Sequence, residues 1–260
     1  MSIKNVLITR FSIRRPGWTD KVIGNSEERR ASWFAWRSVL FKRTLYRSLL
    51  RQTCQDFRLY VLMDATDQWL WEKHLGISDP RVKPVFEADP GFRLASTRLD
   101  LREHDGSPLV ISRLDSDDLV SSNYLDCVNT ATIQLEKRGQ AGGLVISCLG
   151  HITDGAFAQK AYIPNSPFIS LYCHQYSGEN IYSFPHQNVL KLGVPCVLDR
   201  QSRWIQFLHG SNVANQFILK NLVSPDQFPA RISSSPTSSF AAVLEPAETG
   251  WPRGFPFPIA

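Results

Sequence analysis

The stretch that decides the fold is "LVISRLDSDDL", Leu109 to Leu119, an apolar run that breaks into three carboxylates, Asp115, Asp117 and Asp118. A short apolar run ending in turn residues reads as a buried strand of an α/β sheet. Open parallel sheets bind ligands in the crevice at the carboxyl ends of their strands, and the acidic cluster stands at such an end. Carboxylates this close raise one another's pKa unless a cation compensates. A divalent ion is the natural compensator. Mn²⁺ and Mg²⁺ prefer oxygen ligands and take one or two carboxylates, with water and phosphate oxygens filling the remaining positions. In an extended or turning segment residues two apart can reach the same side, so Asp115 and Asp117 are the expected metal ligands, with Asp118 beside them. The structural alternative is that Asp after a strand suits the N-terminus of a following helix. An EF-hand calcium loop is set aside, because its glycine and distal glutamate are missing.

Working outward, "KNVLITRF" opens the chain as a buried strand and runs into the basic loop "RFSIRRPGW". A helix is expected from about Glu27 to Thr53, with Phe34, Phe41, Leu45 and Leu49 at helical spacing. Arg43, Arg47 and Arg51 form a ladder along it, read as a solvated face, with contact to an anionic membrane surface as the sharper alternative. "DFRLYVLMD", "VKPVFEA" and "PLVISRL" are the next strands, and "SSNYLDCVNTATIQLEKRG" is a helix closed by Gly139. Beyond it "GGLVISCLGHI", "FISLYCHQY", "PCVLD" and "WIQFLHG" look like strands on longer loops, some antiparallel, facing an acceptor. From Ser224 onward the chain holds seven of its 16 prolines and reads as an extended or partly disordered tail. The expectation is one α/β domain over 1–223, with a donor half at 1–122 and an acceptor half at 123–223, followed by the tail at 224–260.

A chain of 260 residues with 43% hydrophobic composition can bury a large core. Its net charge of +5 is spread over 29 basic and 24 acidic residues, a mild bias toward anionic partners. Five widely spaced cysteines, mostly in apolar surroundings, read as thiols of a reducing compartment rather than a disulfide frame or zinc site. No run approaches the ~20 apolar residues that span a bilayer, and the N-terminus turns charged too early for a signal peptide. A cytoplasmic protein is expected, with peripheral attachment to the inner face of the membrane left open.

Four segments in order, "VLITRFS", "WRSVLFKRTLYRSLLRQTCQDFRLYVLMD", "RLDSDD" and "WIQFLHGSNV", resemble the putative rhamnosyl transferase family of GT-A-type glycosyltransferases over roughly residues 4 to 220. The resemblance implies a GT-A-like fold, with a Rossmann-like mixed sheet flanked by helices. It implies a nucleotide-sugar donor (dTDP-, UDP- or GDP-sugar), a glycan or small-molecule acceptor, and no nucleic acid. It places Mn²⁺ or Mg²⁺ on Asp115 and Asp117 against the donor diphosphate. Asp118 becomes the third acidic member, near the metal or donor sugar, and His209 of "LHGSN" completes the metal shell. The family's name alone suggests rhamnose.

Other residues carry two readings each. Arg10 meets the diphosphate or base, or is an ordinary surface arginine. Asp64 bonds the base or ribose, or is a strand-end turn residue. Arg113 shares a face with Asp115 and orients it, or points away. His186 reads as structural. Asp154 and Glu179 are carboxylates of the second half, and neither is assigned as a general base. Two competing functions remain. A phosphatase of the haloacid dehalogenase type also uses a strand-end D-x-D, but normally on its first core strand, whereas more than 100 residues precede Asp115 here. A non-catalytic nucleotide- or carbohydrate-binding protein on the same scaffold is the other.

Overall fold

The computed structural model describes residues 3–13, 26–88, 99, 101–153 and 158–207. Within them nine strands form one sheet: β1 (Lys4–Arg10), β2 (Phe57–Asp64), β3 (Val82–Glu87), β4 (Leu109–Asp115), β5 (Leu119–Val120), β6 (Gly142–Thr153), β7 (Ala158–Tyr162), β8 (Ile169–Cys173) and β9 (Cys196–Phe207). Their order is β3-β2-β1-β4-β8-β6-β9-β5, with β7 paired to β6. The first four are parallel, the Rossmann-like half. β8 then runs antiparallel to both β4 and β6, β6 and β9 are parallel, and β5 and β7 add antiparallel edges. This is the α/β sheet the sequence leads one to expect, mixed overall and Rossmann-like in its parallel half.

Alternation along the central strands fills two cores. Leu7, Leu59, Val61, Met63, Val110 and Leu114 face one side, under the helices. Val6, Ile8, Tyr60, Leu62, Leu109 and Ile111 face the other. A strand buried on both faces has no polar side to show, which is why these strands read as apolar runs.

Helix α1 (Glu27–Phe41) starts at Ser26, whose side chain accepts from the Arg29 N–H at 3.2 Å, with Glu27 and Glu28 in the first turn. It continues through a π-helical turn (Lys42–Tyr46) and a last helical turn (Arg47–Leu50), burying Phe34, Phe41, Leu45 and Leu49. The wider π turn shifts the following residues around the axis. Arg43 is exposed while Arg47 and Arg51 are half-buried, so the expected ladder is not one uniformly solvated face. The chain leaves the helix at Gln52, whose side-chain amide donates to the Ser48 and Ser121 carbonyls at 3.1 and 2.7 Å. Helix α2 (Tyr124–Lys137) buries Tyr124, Leu125, Val128 and Leu135, and Gly139 follows it at φ 73°, the left-handed region glycine favours.

The two strands expected from "PCVLD" and "WIQFL" are one, β9. Its polar middle stays extended because the Arg203 Nε donates to Asp199 at 2.8 Å and the pairing with β6 tolerates register shifts on either side of Leu149. All five cysteines are free thiols. No helix among the described residues is long and apolar enough to cross a membrane. The tail, Asp154 and His209 lie outside the described residues.

Candidate active site

Because β1, β2 and β4 are parallel neighbours, their carboxyl ends meet at one edge of the sheet. Arg10 is in register with Asp115 on one side and Leu62 on the other, and Asp64 ends β2 just beyond. Six expected residues, Arg10, Asp64, Arg113, Asp115, Asp117 and Asp118, are thus brought to the same edge.

The acidic cluster is a turn, closed by the Asp118 N–H donating to the Asp115 carbonyl at 3.3 Å. Strand alternation stops there, and each carboxylate has its own surroundings. Asp115 keeps 36% of its side chain exposed and lies 3.9 Å from Arg10 Nη2. Asp117 is buried and accepts from Arg37 Nη1 of α1 at 2.8 Å, while Arg37 Nη2 donates to Ser116 Oγ at 2.9 Å. Asp118, also buried, accepts from Gln206 Nε2 of β9 at 3.2 Å. Burial first, then the neighbouring Asp117 and Asp115, hold the Asp118 carboxyl well above the usual carboxylate range, against the pull of Gln206 and Arg37. Asp115 and Asp117 each stand beside a different arginine, Arg10 and Arg37.

Asp64 accepts from the Thr66 N–H at 3.0 Å and from Thr66 Oγ1 at 2.5 Å, and lies 3.7 Å from Arg30. Arg30 itself forks onto Asp67 at 2.5 and 2.7 Å. Asp64 therefore shapes its own turn at the site's edge. Arg113 does not bond Asp115. Its Nη2 lies 3.0 Å from Nδ1 of His186, and its guanidinium sits 5.7 Å from the centre of the Tyr182 ring, over which Arg10 also lies at 5.1 Å. Burial and then Arg113 pull the His186 imidazole down to about 4. Glu179 accepts from the Ser177 N–H at 2.7 Å within a turn.

Arg30, Arg37, Gln206 and Tyr182 were not singled out from the sequence. A pattern for the arginines exists: Arg30, Phe34, Arg37 and Phe41 recur at helical spacing, which sets two cations in the buried stripe of α1. A basic residue in an apolar stripe points to a buried ion pair.

The donors at this turn are all hard oxygens, and Asp115 is the accessible one, so the residues fit a hard divalent ion in chemistry. Among the described residues no three His, Cys, Asp or Glu side chains are grouped to hold a metal. A metal here would keep water or phosphate oxygens as further ligands.

Among solved structures the chain is similar to S. aureus TarS 1–349 in complex with UDP (13% identity, TM-score 0.42, covering 94% of this chain and 66% of that one). It is similar to the same protein in complex with UDP-GlcNAc (12%, TM-score 0.43, 93% and 70%). A third is HddC from Yersinia pseudotuberculosis (10%, TM-score 0.38, 79% and 90%). The chain spans 60 to 70% of the length of the TarS 1–349 chains. No curated protein matches it in sequence. The model of a family described as putative rhamnosyl transferase matches residues 4–221. With that match running from β1 past β9, the chain belongs to the putative rhamnosyl transferase family.

Proposed function

We propose that this protein is a metal-dependent glycosyltransferase that moves a sugar, rhamnose by the family's name, from a nucleotide-sugar donor to a hydroxyl of a glycan or small molecule in the cytoplasm. The observation that carries the reading is the acidic turn Asp115–Asp118 at the carboxyl end of β4, in register with Arg10 of β1, in a chain of this family.

Transfer requires a nucleoside diphosphate to depart, and charge builds on its phosphates as the C–O bond breaks. Asp115, exposed at the edge, and Asp117, on exchanging Arg37, would hold Mn²⁺ or Mg²⁺, with His209 as a further ligand on the resemblance alone. The ion supplies charge neutralisation for the leaving group. Arg10 adds a fixed positive charge in register with Asp115. Asp118, buried against Gln206, positions the turn and ties it to β9. Asp64 and Arg30 form the edge beside the nucleotide.

The test is thermal unfolding against dTDP, UDP, GDP and their sugar conjugates, with and without Mn²⁺. Protection that needs Mn²⁺ and disappears in Asp115→Ala supports the donor site. Absence of protection by every nucleotide, with or without the ion, contradicts it.

A further inference from the structure

Arg113 is buried on β4 with 7% exposure. An arginine at that depth is almost always ion-paired, since an unpaired buried charge is costly. Among the described residues Arg113 has no carboxylate within 4.0 Å. Its hydrogen-bonding partner is His186, and its buried Nε has no hydrogen-bond partner among the described residues. Arg10 stands beside it over the same Tyr182 ring, two cations that repel. A histidine held down to about 4 is neutral near pH 7, so the partner that holds Arg113 adds no charge of its own. Among the described residues the Arg113 guanidinium is thus held by a neutral side chain, at the carboxyl edge of the sheet.

The choice of partner matters. A carboxylate in place of His186 would satisfy the guanidinium and cancel its charge. An imidazole lone pair holds the guanidinium in orientation and leaves the charge available. The planar fork then presents paired N–H groups, the geometry that suits phosphate oxygens.

We propose that Arg113, with Arg10 beside it on the Tyr182 ring, forms a phosphate-binding subsite whose occupant is the diphosphate of the sugar donor, and that His186 is a positioning residue that aims Arg113 without neutralising it. The identity of the occupant rests on the transferase reading above. The affinity for phosphate groups does not.

The experiment is calorimetric titration with inorganic pyrophosphate in EDTA, then with a nucleoside diphosphate and its nucleoside. Wild type binds pyrophosphate without metal. Arg113→Met weakens that binding about 10- to 100-fold, the loss expected for charge-assisted hydrogen bonds. The same variant unfolds at no lower temperature than wild type without ligand, since replacing an unpaired buried charge with an apolar chain relieves desolvation. His186→Gln, a neutral acceptor, keeps pyrophosphate binding, whereas His186→Glu abolishes it. Three results overturn the proposal: a wild type that ignores pyrophosphate, an Arg113→Met variant with a lowered ligand-free Tm, or equal behaviour of the two His186 variants. If Arg113→Met weakens pyrophosphate but not the nucleoside diphosphate, the phosphate belongs to another ligand and the donor assignment falls. If pyrophosphate binds and no nucleotide does, the transferase reading fails while the subsite stands.

Discussion

Arg37 and Asp117, with side chains 12% and 11% exposed and 2.8 Å apart, form an ion pair that neither can leave without the other paying for it. Removing one member of a buried pair strands the remaining charge. Arg37→Ala should therefore cost about 3–5 kcal/mol in urea unfolding. Arg37→Ala/Asp117→Ala should recover much of that loss, because the stranded carboxylate is gone. Mn²⁺ adds a finer reading, since it should restore part of the stability of Arg37→Ala if Asp117 is a metal ligand and leave the double variant unchanged. The sequence displayed the carboxylates of this site but concealed their partners, because Arg37 and Gln206 come from α1 and β9, distant in the chain. Asp115 was legible as a strand-end residue from the apolar run before it. The separate arginine partners of Asp115 and Asp117 were not, since alternation says nothing once the strand becomes a turn.

At the scale of elements, β1, β2 and β4 announce themselves because strands covered on both faces are apolar throughout, and α1 through its Ser26 cap and acidic first turn. β9 was split in two because Asp199–Ser202 is polar, and only the fold reveals Arg203 bracing it. Where β9 pairs with β6, a Cβ on Gly150 would lie 2.1 Å from the Trp204 ring, which is fully buried and stacked on Phe168 at 5.0 Å. Gly150→Ala should cost about 3 kcal/mol by overpacking, read as a lower urea midpoint at unchanged m-value. The same pair of strands carries a pH-dependent element. Burial, then Lys160, pulls His151 down to about 4 from the ordinary 6.5, so its neutral form is the one the fold accommodates. As pH falls from 6.5 toward 4 the unfolded chain takes up a proton that the folded one refuses. Stability should decline across that window by up to about 3 kcal/mol, present above it and lost below. His151→Gln should make the decline shallower in urea unfolding followed from pH 7 to pH 4, leaving the part due to His186, which is also pulled down to about 4.

For the molecule as a whole, the parallel half assembles the candidate site and the mixed half closes around it. β8 joins the two through β4, while Gln206 of β9 and His186 beyond β8 reach back to the acidic turn and to Arg113. The α/β class and the site's place at the strand ends followed from the alternation of apolar runs and helical spacing. The long-range return of the second half could not, because its contacts join residues as distant in the chain as Arg10 and Tyr182. A donor that binds only the folded chain stabilises it by about 2.7 kcal/mol at a hundred times its Kd. That should appear as a rise of roughly 5–10 °C in Tm for a protein of this size. The most direct test is release of nucleoside diphosphate from dTDP-, UDP- and GDP-sugars in the presence of acceptors, comparing wild type with Asp115→Asn, with Mn²⁺ and with EDTA. Release from one donor, dependent on the ion, raised by a particular acceptor and abolished in Asp115→Asn is the predicted result; release that is indifferent to both the ion and Asp115 would contradict it.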